Sequence, residues 1–253
     1  MTDLFSLAGK TALVTGGSRG IGFMIAQGFI EAGARVYVSS RKKEACDEAA
    51  SQLGPNAVSM PADISTEQGC IELARSVAER EDALHVLVNN AGTAWGAPLE
   101  EFPDHAFDKI WATNVKAIFH LTVKCLPLLR KAASQDDPAR VINIGSIDGL
   151  RVPIFQNYAY SASKSAVHML TRHVAHEIVG EHITVNAIAP GLFESKMTKA
   201  AFEFMGDQIA EHIPMKRSGR PDDIAGTAIF LASRAGAYLT GAVIPVDGGV
   251  STR

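Results

Sequence analysis

A phenol and an ammonium stand four residues apart at Tyr160 and Lys164, in a segment from Asn157 to Val179 whose pattern predicts a helix. At that spacing both side chains share one helix face about one turn apart, so the cation favours the phenolate. We therefore expect the pKa of Tyr160 to fall from its usual value of about 10 towards neutrality, where a phenol is a useful proton donor to a carbonyl. Tyr158 lies six residues from Lys164 on a different face, and we assign it to packing or to a pocket wall.

Two further polar side chains could assist such a proton transfer. Ser146 ends a predicted strand at the edge where a substrate would lie, and its hydroxyl can hydrogen-bond a developing alkoxide. A turn cap is the alternative role for the same serine. Asn114 lies within a predicted helix, Asp104 to Ala132, and could hold a water bonded to Lys164, although an ordinary helix residue would look the same.

A glycine-rich segment, Thr15 to Gly22, follows the first predicted strand and opens a helix that runs to about Ala32. Glycine lets the backbone turn tightly and approach a pyrophosphate, while the helix N-terminus offers free N–H groups to the anion. A tight turn without a ligand is the alternative, but the position after the first strand of a βαβ unit favours a dinucleotide site. The residues of this segment expected at the cofactor are Gly16, Ser18, Arg19, Gly20, Ile21 and Gly22.

The end of the second predicted strand distinguishes between the two nicotinamide cofactors. An NAD site places a carboxylate there to accept the ribose hydroxyls, whereas this chain has Ser40 and Arg41 followed by two lysines. Ser40 can donate to a 2′-phosphate, Arg41 can bind its oxygens, and Arg19 could reach the same group. Solvated charges at a helix start are the alternative. The sequence therefore favours NADP(H) over NAD(H).

Seven short β-branched runs alternate with longer helical patterns, which is typical of parallel strands joined by crossover helices. The runs are nearly continuous in apolar residues, as strands covered on both faces must be. An excursion at about 192–213 separates the sixth run from the helix that Pro221 starts, and we interpret it as a substrate lid. The predicted strands are Thr11–Thr15, Arg35–Ser39, Ala57–Met60, His85–Val88, Arg140–Ile144, Ile183–Ile188 and Ala242–Val246.

Length and composition exclude several classes of protein. The 253 residues are 47 % hydrophobic and 20 % charged, a balance that excludes a disordered or fibrous chain. The net charge of −3 argues against binding to nucleic acid or to an anionic membrane. Three cysteines without C-x-x-C spacing indicate neither a disulfide framework nor a zinc site. With no leader and no apolar run of membrane-spanning length, we expect a cytoplasmic protein.

Other residues could form a metal site or a substrate pocket. His173 and His176 lie three residues apart on a helix, but no third ligand accompanies them, so we predict no metal. The residues expected to line a pocket for an apolar substrate are Trp95, Pro153, Ile154 and Phe155. The residues of the lid that would contact the substrate, the protein body or a neighbouring subunit are Met197, Phe202, Phe204, Met205 and Ile209.

The ordered set of motifs resembles that of the short-chain dehydrogenase/reductase family, over residues 5–250. The motifs are Thr15-Gly-x-x-x-Gly20-Ile-Gly22, Asp63, Asn89-Asn90-Ala91-Gly92, Asn114, Ser146, Tyr160-x-x-x-Lys164 and Pro190-Gly191. The resemblance implies that Tyr160 is the general acid/base and that Ser146 orients the carbonyl. It also implies that Lys164 contacts the nicotinamide ribose and that Asn114 belongs to a proton relay.

The same resemblance extends the cofactor site and implies the architecture. We expect a single doubly wound Rossmann-type α/β domain over residues 1–253, with helices on both faces of a seven-stranded parallel sheet in the order 3-2-1-4-5-6-7. Asp63 is implied near the adenine, and Phe193 and Ser195 near the nicotinamide. The further cofactor residues implied are Ile64, Asn90, Ala91, Gly92, Pro190 and Gly191.

Within the family the chain most resembles 3-oxoacyl-thioester reductases, particularly the branch of the rhamnolipid pathway. The segments that carry this similarity are Asn89–Gly96, Val179–Ile183, Ile213–Pro221 and Tyr238–Gly249. The implied reaction interconverts a ketone and a secondary alcohol with NADP(H). Alternatives are a polyol, sugar or steroid alcohol dehydrogenase, or a non-catalytic dinucleotide-binding protein.

Two expectations concern partners. Glu181 stands where carrier-dependent reductases place an arginine, and it would repel an acidic acyl-carrier protein, which leaves acyl-CoA, a free keto ester or another small ketone open. The long helices Asp104–Ala132 and Asn157–Val179 carry apolar residues on more than one face, and together with the resemblance they predict a homotetramer.

Overall fold

Seven parallel strands form one sheet in a computed structural model that describes residues 4–194 and 211–252. The strands are β1 (Thr11–Thr15), β2 (Arg35–Ser39), β3 (Ala57–Ser59), β4 (Val86–Asn89), β5 (Ala139–Ile144), β6 (Ile183–Pro190) and β7 (Val243–Val246). Their order is β3-β2-β1-β4-β5-β6-β7, so the predicted topology is confirmed. Each predicted strand is present with bounds within two residues of the expected ones.

The register of the sheet brings the carboxyl ends of the strands to one edge. Thr15 pairs with Ser39 at the ends of β1 and β2, and Asn89 pairs with Asn143 near the ends of β4 and β5. In a doubly wound sheet the loops that leave this edge form the ligand site. The segments that contain the predicted site residues therefore share one side of the molecule.

Helices cover both faces of the sheet. They are α1 (Gly20–Glu31), α2 (Lys43–Leu53), α3 (Glu67–Ala78), α4 (Asp104–Trp111), α5 (Ala117–Ala132), α6 (Tyr158–Ile178) and α7 (Pro221–Ala232). One hydrophobic core lies under α1, α2 and α7, and a second lies under α3, α5 and α6. Alternate residues of β1 enter the two cores, Val14 the first and Leu13 the second. Among these helices none is both long and apolar enough to cross a membrane.

The predicted helix from Asp104 to Ala132 is present but is not uniform. Its two α-helical parts are joined by a π-helical turn over Ala112–Lys116, where the Ala117 N–H donates to the Ala112 carbonyl five residues back. Such wide turns occur mostly as single insertions in α-helices and often at functional sites. The turn places Asn114, which is fully buried, on the side of the helix that faces the carboxyl edge of the sheet.

Candidate active site

The turn after β1 leaves the first N–H groups of α1 without a side-chain partner. Arg19 is the N-cap residue, and its side chain makes no capping hydrogen bond. Gly16 and Gly20 have positive φ angles of 64° and 55°, which glycine adopts without strain. A Cβ on Gly22 would collide with Asn90 Nδ2 and with the Gly16 carbonyl oxygen, so only glycine fits there. The turn thus has the open helix N-terminus and the close backbone packing that a bound pyrophosphate needs.

Asn90 and Thr15 hold this turn against the segment that follows β4. Asn90 Nδ2 donates to the carbonyl oxygens of Thr15 at 2.9 Å and of Gly16 at 3.2 Å. Thr15 Oγ1 accepts from the N–H groups of Asn90 at 3.0 Å and of Ala91 at 3.1 Å. The Asn90 side chain therefore stabilises the glycine turn through these hydrogen bonds. Gly92, two residues further along the same segment, lies near Asn114.

The end of β2 touches the glycine turn, because the Gly17 N–H donates to the Ser39 carbonyl at 3.2 Å. Arg19 and Arg41 each lie two residues beyond this contact, and both are exposed. Neither arginine forms an ion pair with another residue in the described ranges, so both remain available to an anion. Ser40 Oγ makes a long hydrogen bond of 3.4 Å to the Lys42 carbonyl. This cluster fits a ribose with a 2′-phosphate.

The remaining predicted cofactor residues lie at the same edge of the sheet, but the side chains of two of them, Ile64 and Phe193, are buried. Asp63 is exposed, and its carboxylate accepts from the Ser65 N–H at 3.1 Å. Ile64 is buried, and so is Phe193, which packs on Gly219 in the core, so Phe193 can face a cofactor only with its backbone. Pro190 ends β6 at this edge, and Gly191 follows it, its N–H donating to the Val246 carbonyl at 2.9 Å. Ser195 and the lid residues 195–210 lie outside the described residues.

Ser146, Tyr160 and Lys164 come together at the carboxyl end of β5. Ser146 follows this strand, and its hydroxyl accepts from the Asp148 N–H at 3.1 Å. The Lys164 ammonium is buried, donates to the Ile144 carbonyl at 2.7 Å and lies 5.5 Å from the centroid of the Tyr160 ring. Ser146 thus caps its turn and lies near enough to the phenol to influence its pKa.

The expected fall in the pKa of Tyr160 is wrong for this structure. Burial raises the pKa of Tyr160 to about 12, and the nearby Asp148 carboxylate adds to the rise. The nearby Ser146 hydroxyl lowers the pKa of Tyr160 by less. The Lys164 ammonium, whose own pKa is lowered to about 8 by burial, is directed at the Ile144 carbonyl. Tyr160 is therefore held as a neutral phenol, the form that can donate a proton.

The Asn114 side-chain amide connects the π-helical turn to the segment after β4 and to α6. Its Oδ1 accepts from the Thr93 N–H at 2.9 Å, and its Nδ2 donates to the Thr93 carbonyl and to Ser163 Oγ, both at 3.0 Å. Both amide donors are engaged in these contacts, and the role of Asn114 in holding a water next to Lys164 stays a prediction. A Cβ added to Gly92 would lie 3.4 Å from Asn114 Oδ1 and 3.8 Å from Lys164 Nζ, so these residues do converge.

A pocket of about 480 Å³ lies between the Asp148–Asn157 loop and α6, and its lining includes none of Ser146, Tyr160 and Lys164. Pro153 and Phe155 are in this lining, whereas Trp95 and Ile154 are outside it, and their contact with a substrate stays a prediction. Tyr158 is part of the wall and packs edge-to-face on Phe102, with ring centroids 5.8 Å apart. The wall is mixed, since Asp148, Arg151 and Asn157 add polar groups to it.

Sequence reasoning missed Thr93 and Ser163, which hold Asn114 in place through partners distant in the chain, and nothing in their local pattern signals this. It named Thr15 as the start of the glycine motif but not its hydrogen bonds to the segment after β4. Asp148 could have been noticed as a carboxyl two residues after Ser146, within a predicted turn. No group of three His, Cys, Asp or Glu that could hold a metal occurs among residues 4–194 and 211–252.

Glu181 is not the free negative charge that the sequence indicated. Its carboxylate forms a bidentate ion pair with Arg130 near the end of α5. Glu181 Oε2 accepts from Arg130 Nε at 2.6 Å, and Oε1 accepts from Arg130 Nη2 at 3.0 Å. The hydrogen bond from Arg130 also lowers the pKa of Glu181. Repulsion of an acidic partner by Glu181 is therefore weakened, but Arg130 is no longer free to attract one.

Comparisons with known proteins match nearly the whole chain. Residues 16–251 match the family profile described as enoyl-(acyl carrier protein) reductase. The chain is 51 % identical over 253 residues to the rhamnolipids biosynthesis 3-oxoacyl-(acyl-carrier-protein) reductase of Pseudomonas aeruginosa, covering 98 % of this chain and 99 % of that one. It is 34 % identical over 255 residues to gluconate 5-dehydrogenase of Gluconobacter oxydans, covering 98 % and 97 %.

Solved structures show the same fold. The complex of RhlG with NADP from Pseudomonas aeruginosa superposes with a TM-score of 0.96 at 51 % identity, covering 99 % of this chain and all of that one. A gluconate 5-dehydrogenase from Burkholderia cenocepacia, in complex with NADP and tartrate, gives a TM-score of 0.92 at 30 % identity, covering 99 % and 98 %.

Proposed function

Because the chain belongs to the short-chain dehydrogenase/reductase family, we propose that it is an NADP(H)-dependent oxidoreductase that interconverts a ketone and a secondary alcohol. The observation that carries this proposal is the convergence of Ser146, Tyr160 and Lys164 at the same sheet edge as the open N-terminus of α1. A protein that only bound a dinucleotide would have no chemical need for a neutral phenol, a hydroxyl and a buried ammonium in one place.

The residues of the chain have separate tasks in this reaction. NADPH, when bound, supplies the hydride that reduces the carbonyl carbon. The Ser146 hydroxyl donates to the carbonyl oxygen and orients it, and Tyr160 gives its phenolic proton to that oxygen as negative charge develops. The Lys164 ammonium lies 5.5 Å from the centroid of the Tyr160 ring and would hold the ribose hydroxyls of the cofactor. Asn114 keeps the turn that faces Lys164 in place.

We infer that the substrate is a 3-oxoacyl thioester or a similar apolar ketone. Support comes from the 51 % identical relative, which is named as a 3-oxoacyl reductase. The Arg130–Glu181 pair leaves the choice between a carrier protein and CoA open. Acyl-carrier proteins are acidic, and the paired charges of Arg130 and Glu181 neither attract nor repel them strongly.

The test of the proposed function is NADPH consumption by the purified protein with a panel of ketones. We expect turnover with 3-oxoacyl-CoA or 3-oxoacyl esters and little with 5-ketogluconate. A panel in which only the sugar acid is reduced would replace the apolar substrate with a polyol or sugar. A panel without any turnover, in protein that binds NADPH, would favour the non-catalytic alternative.

The cofactor preference is expected to depend on Arg41. A charge-assisted hydrogen bond contributes roughly 1.5 to 3 kcal/mol, so one contact to the 2′-phosphate favours NADPH over NADH by about one to two powers of ten. Arg41→Ala should therefore weaken NADPH and scarcely change NADH, as measured by competing titrations. Equal loss of both cofactors, or equal affinities in the wild-type protein, would mean that Arg41 is only a surface charge.

We infer that the protein is a homotetramer of one-domain subunits. An apolar groove between α5 and α6 is lined by Val123, Leu170 and Val174, and Phe119 on its rim is about half exposed. A second copy of the chain would cover this face. Light scattering should give about four times the subunit mass of 26.9 kDa, and a monomer at micromolar concentration would refute the proposal.

We also infer a lid over residues 192–213 and a cytoplasmic location. The lid is supported by its C-terminal anchor, since Ile213 packs with Ile147 next to the reactive serine and with Leu192 at the other end of the excursion. The location is supported by the three cysteines, all of which are free and buried.

A further inference from the structure

The turn that contains Ser146 packs on α6 through two glycines, one on each side of the serine. At Gly149 the contact is with the helix backbone, since an added Cβ would lie 2.6 Å from the Lys164 carbonyl carbon and 2.8 Å from the Ser165 nitrogen. Ser165 Oγ also donates to the Gly149 carbonyl at 3.0 Å. The C-terminal end of the turn is therefore fixed directly on the helix.

At Gly145, which precedes Ser146, the contact is with a side chain instead. An added Cβ on Gly145 would collide with His168 Nε2 and lie 2.7 Å from His168 Cδ2. One on Gly149 would lie 2.8 Å from Cε1 of the same ring. His168 lies one turn beyond Lys164 on α6 and is only 2 % exposed. Its ring therefore fills the space between α6 and both glycines.

The imidazole of His168 contributes neither a charge nor a hydrogen bond at this position. Neither ring nitrogen makes a hydrogen bond of acceptable geometry with another described residue. Burial and the Lys164 ammonium lower the pKa of His168 to about 4, against a smaller rise caused by the Gly149 backbone, so the ring is neutral at physiological pH. Because burying an unpaired polar group costs free energy, the contribution of this residue must come from its shape.

Gly145 is fixed on its other side by the sheet. Its N–H donates to the Ile188 carbonyl of β6 at 2.7 Å, and it directly follows the last residue of β5. Tyr160 belongs to α6, two turns before His168. The separation of Ser146 from Tyr160 therefore depends on how far α6 lies from the end of β5. Since protein interiors are close-packed, the size of the His168 ring sets that distance at Gly145.

We propose that His168 is a positioning residue for ketone reduction, whose ring separates α6 from Gly145 by the distance that brings Ser146 and Tyr160 to one carbonyl oxygen. This inference rests on the proposed function, in which those two hydroxyls act on the same atom. His168 touches neither the substrate nor the reacting atoms, and it acts through the serine turn and the helix.

The test changes the two sides of this contact separately. His168→Ala leaves a cavity beside the turn, and Gly145→Ala places a methyl group against the ring. Because a misplacement of about 1 Å can cost on the order of 100-fold in rate, we expect each variant to lower kcat by roughly 10- to 100-fold. The KM for the ketone and the affinity for NADPH, measured by fluorescence titration, should change little.

The double variant Gly145→Ala/His168→Ala distinguishes positioning from a general loss of packing. Its new methyl group lies in the space that the ring has left, where the next atom is the Ile188 carbonyl oxygen at 3.2 Å. We expect its kcat to exceed that of either single variant, whereas two independent losses would multiply. His176→Ala removes an exposed histidine two turns further along α6 and, as the control, should leave kcat unchanged.

The proposal is wrong if His168→Ala keeps the wild-type kcat, or if the double variant is no more active than Gly145→Ala. Should His168→Ala not fold, the comparison of Gly145→Ala with the double variant decides alone, and a double variant that does not fold contradicts the proposal.

A wild-type protein that reduces no ketone would instead refute the proposed function. The Tm values of the same variants would then decide whether His168 fixes the turn. A higher Tm in the double variant than in Gly145→Ala would support this packing role, and an equal or lower Tm would overturn it.

Discussion

Tyr160→Phe should fold and bind NADPH like the wild-type protein, yet lose most of its turnover. The substitution removes only the phenolic hydroxyl, and general acid catalysis accounts for roughly 100- to 10,000-fold in rate. The ring that packs beside Lys164 stays in place. Steady-state kinetics with a 3-oxoacyl substrate and a fluorescence titration with NADPH would separate the two effects.

Tyr158→Phe is the matched control, since Tyr158 lies in the pocket wall two residues away and its ring packs on Phe102. This variant should retain most of its turnover. If Tyr158→Phe lost activity while Tyr160→Phe kept it, the assignment of the acid would be in the wrong register of α6.

Lys164→Met should abolish activity and make the protein more stable. Burial lowers the pKa of Lys164 from 10.5 to about 8, so the buried ammonium costs about 3 kcal/mol at neutral pH. Loss of its hydrogen bond to Ile144 costs about 1 kcal/mol. The net gain of about 2 kcal/mol would raise Tm by about 5 °C, which calorimetry at pH 7 can measure.

The pH dependence of the unfolding free energy is the control for the Lys164→Met prediction. Between pH 8 and 10.5 the unfolded chain binds a proton at Lys164 that the folded chain has released, so the stability of the wild-type protein due to this group rises with pH. Lys164→Met should lack that rise. A variant that is less stable than wild type at pH 7 would show that the ammonium stabilises the fold and is not a cost that catalysis imposes.

The strands were predictable because they are short apolar runs, of which β1, β4, β5 and β6 are buried throughout and β3 and β7 only in part, and their bounds shifted by at most two residues. The phosphate turn and the Tyr160–Lys164 pair were predictable because their spacing is local. The Arg130–Glu181 pair joins residues 51 positions apart, and no local pattern contains it. The pKa of Tyr160 depends on burial, which spacing does not reveal.

Because of the π-helical turn at Ala112–Lys116, the long helix contains one residue more than a regular α-helix of the same length in ångströms. An α-helix advances about 100° per residue, so α4 and α5 are out of phase by about that angle. Deletion of one residue there would restore a regular helix and would rotate the aromatic side chains of Phe107 and Trp111 away from their present surface. It would also withdraw Asn114 from Thr93. The number of residues in this segment therefore matters independently of which residues they are. A substitution near Asn114 can be tolerated, whereas the deletion of a single residue cannot.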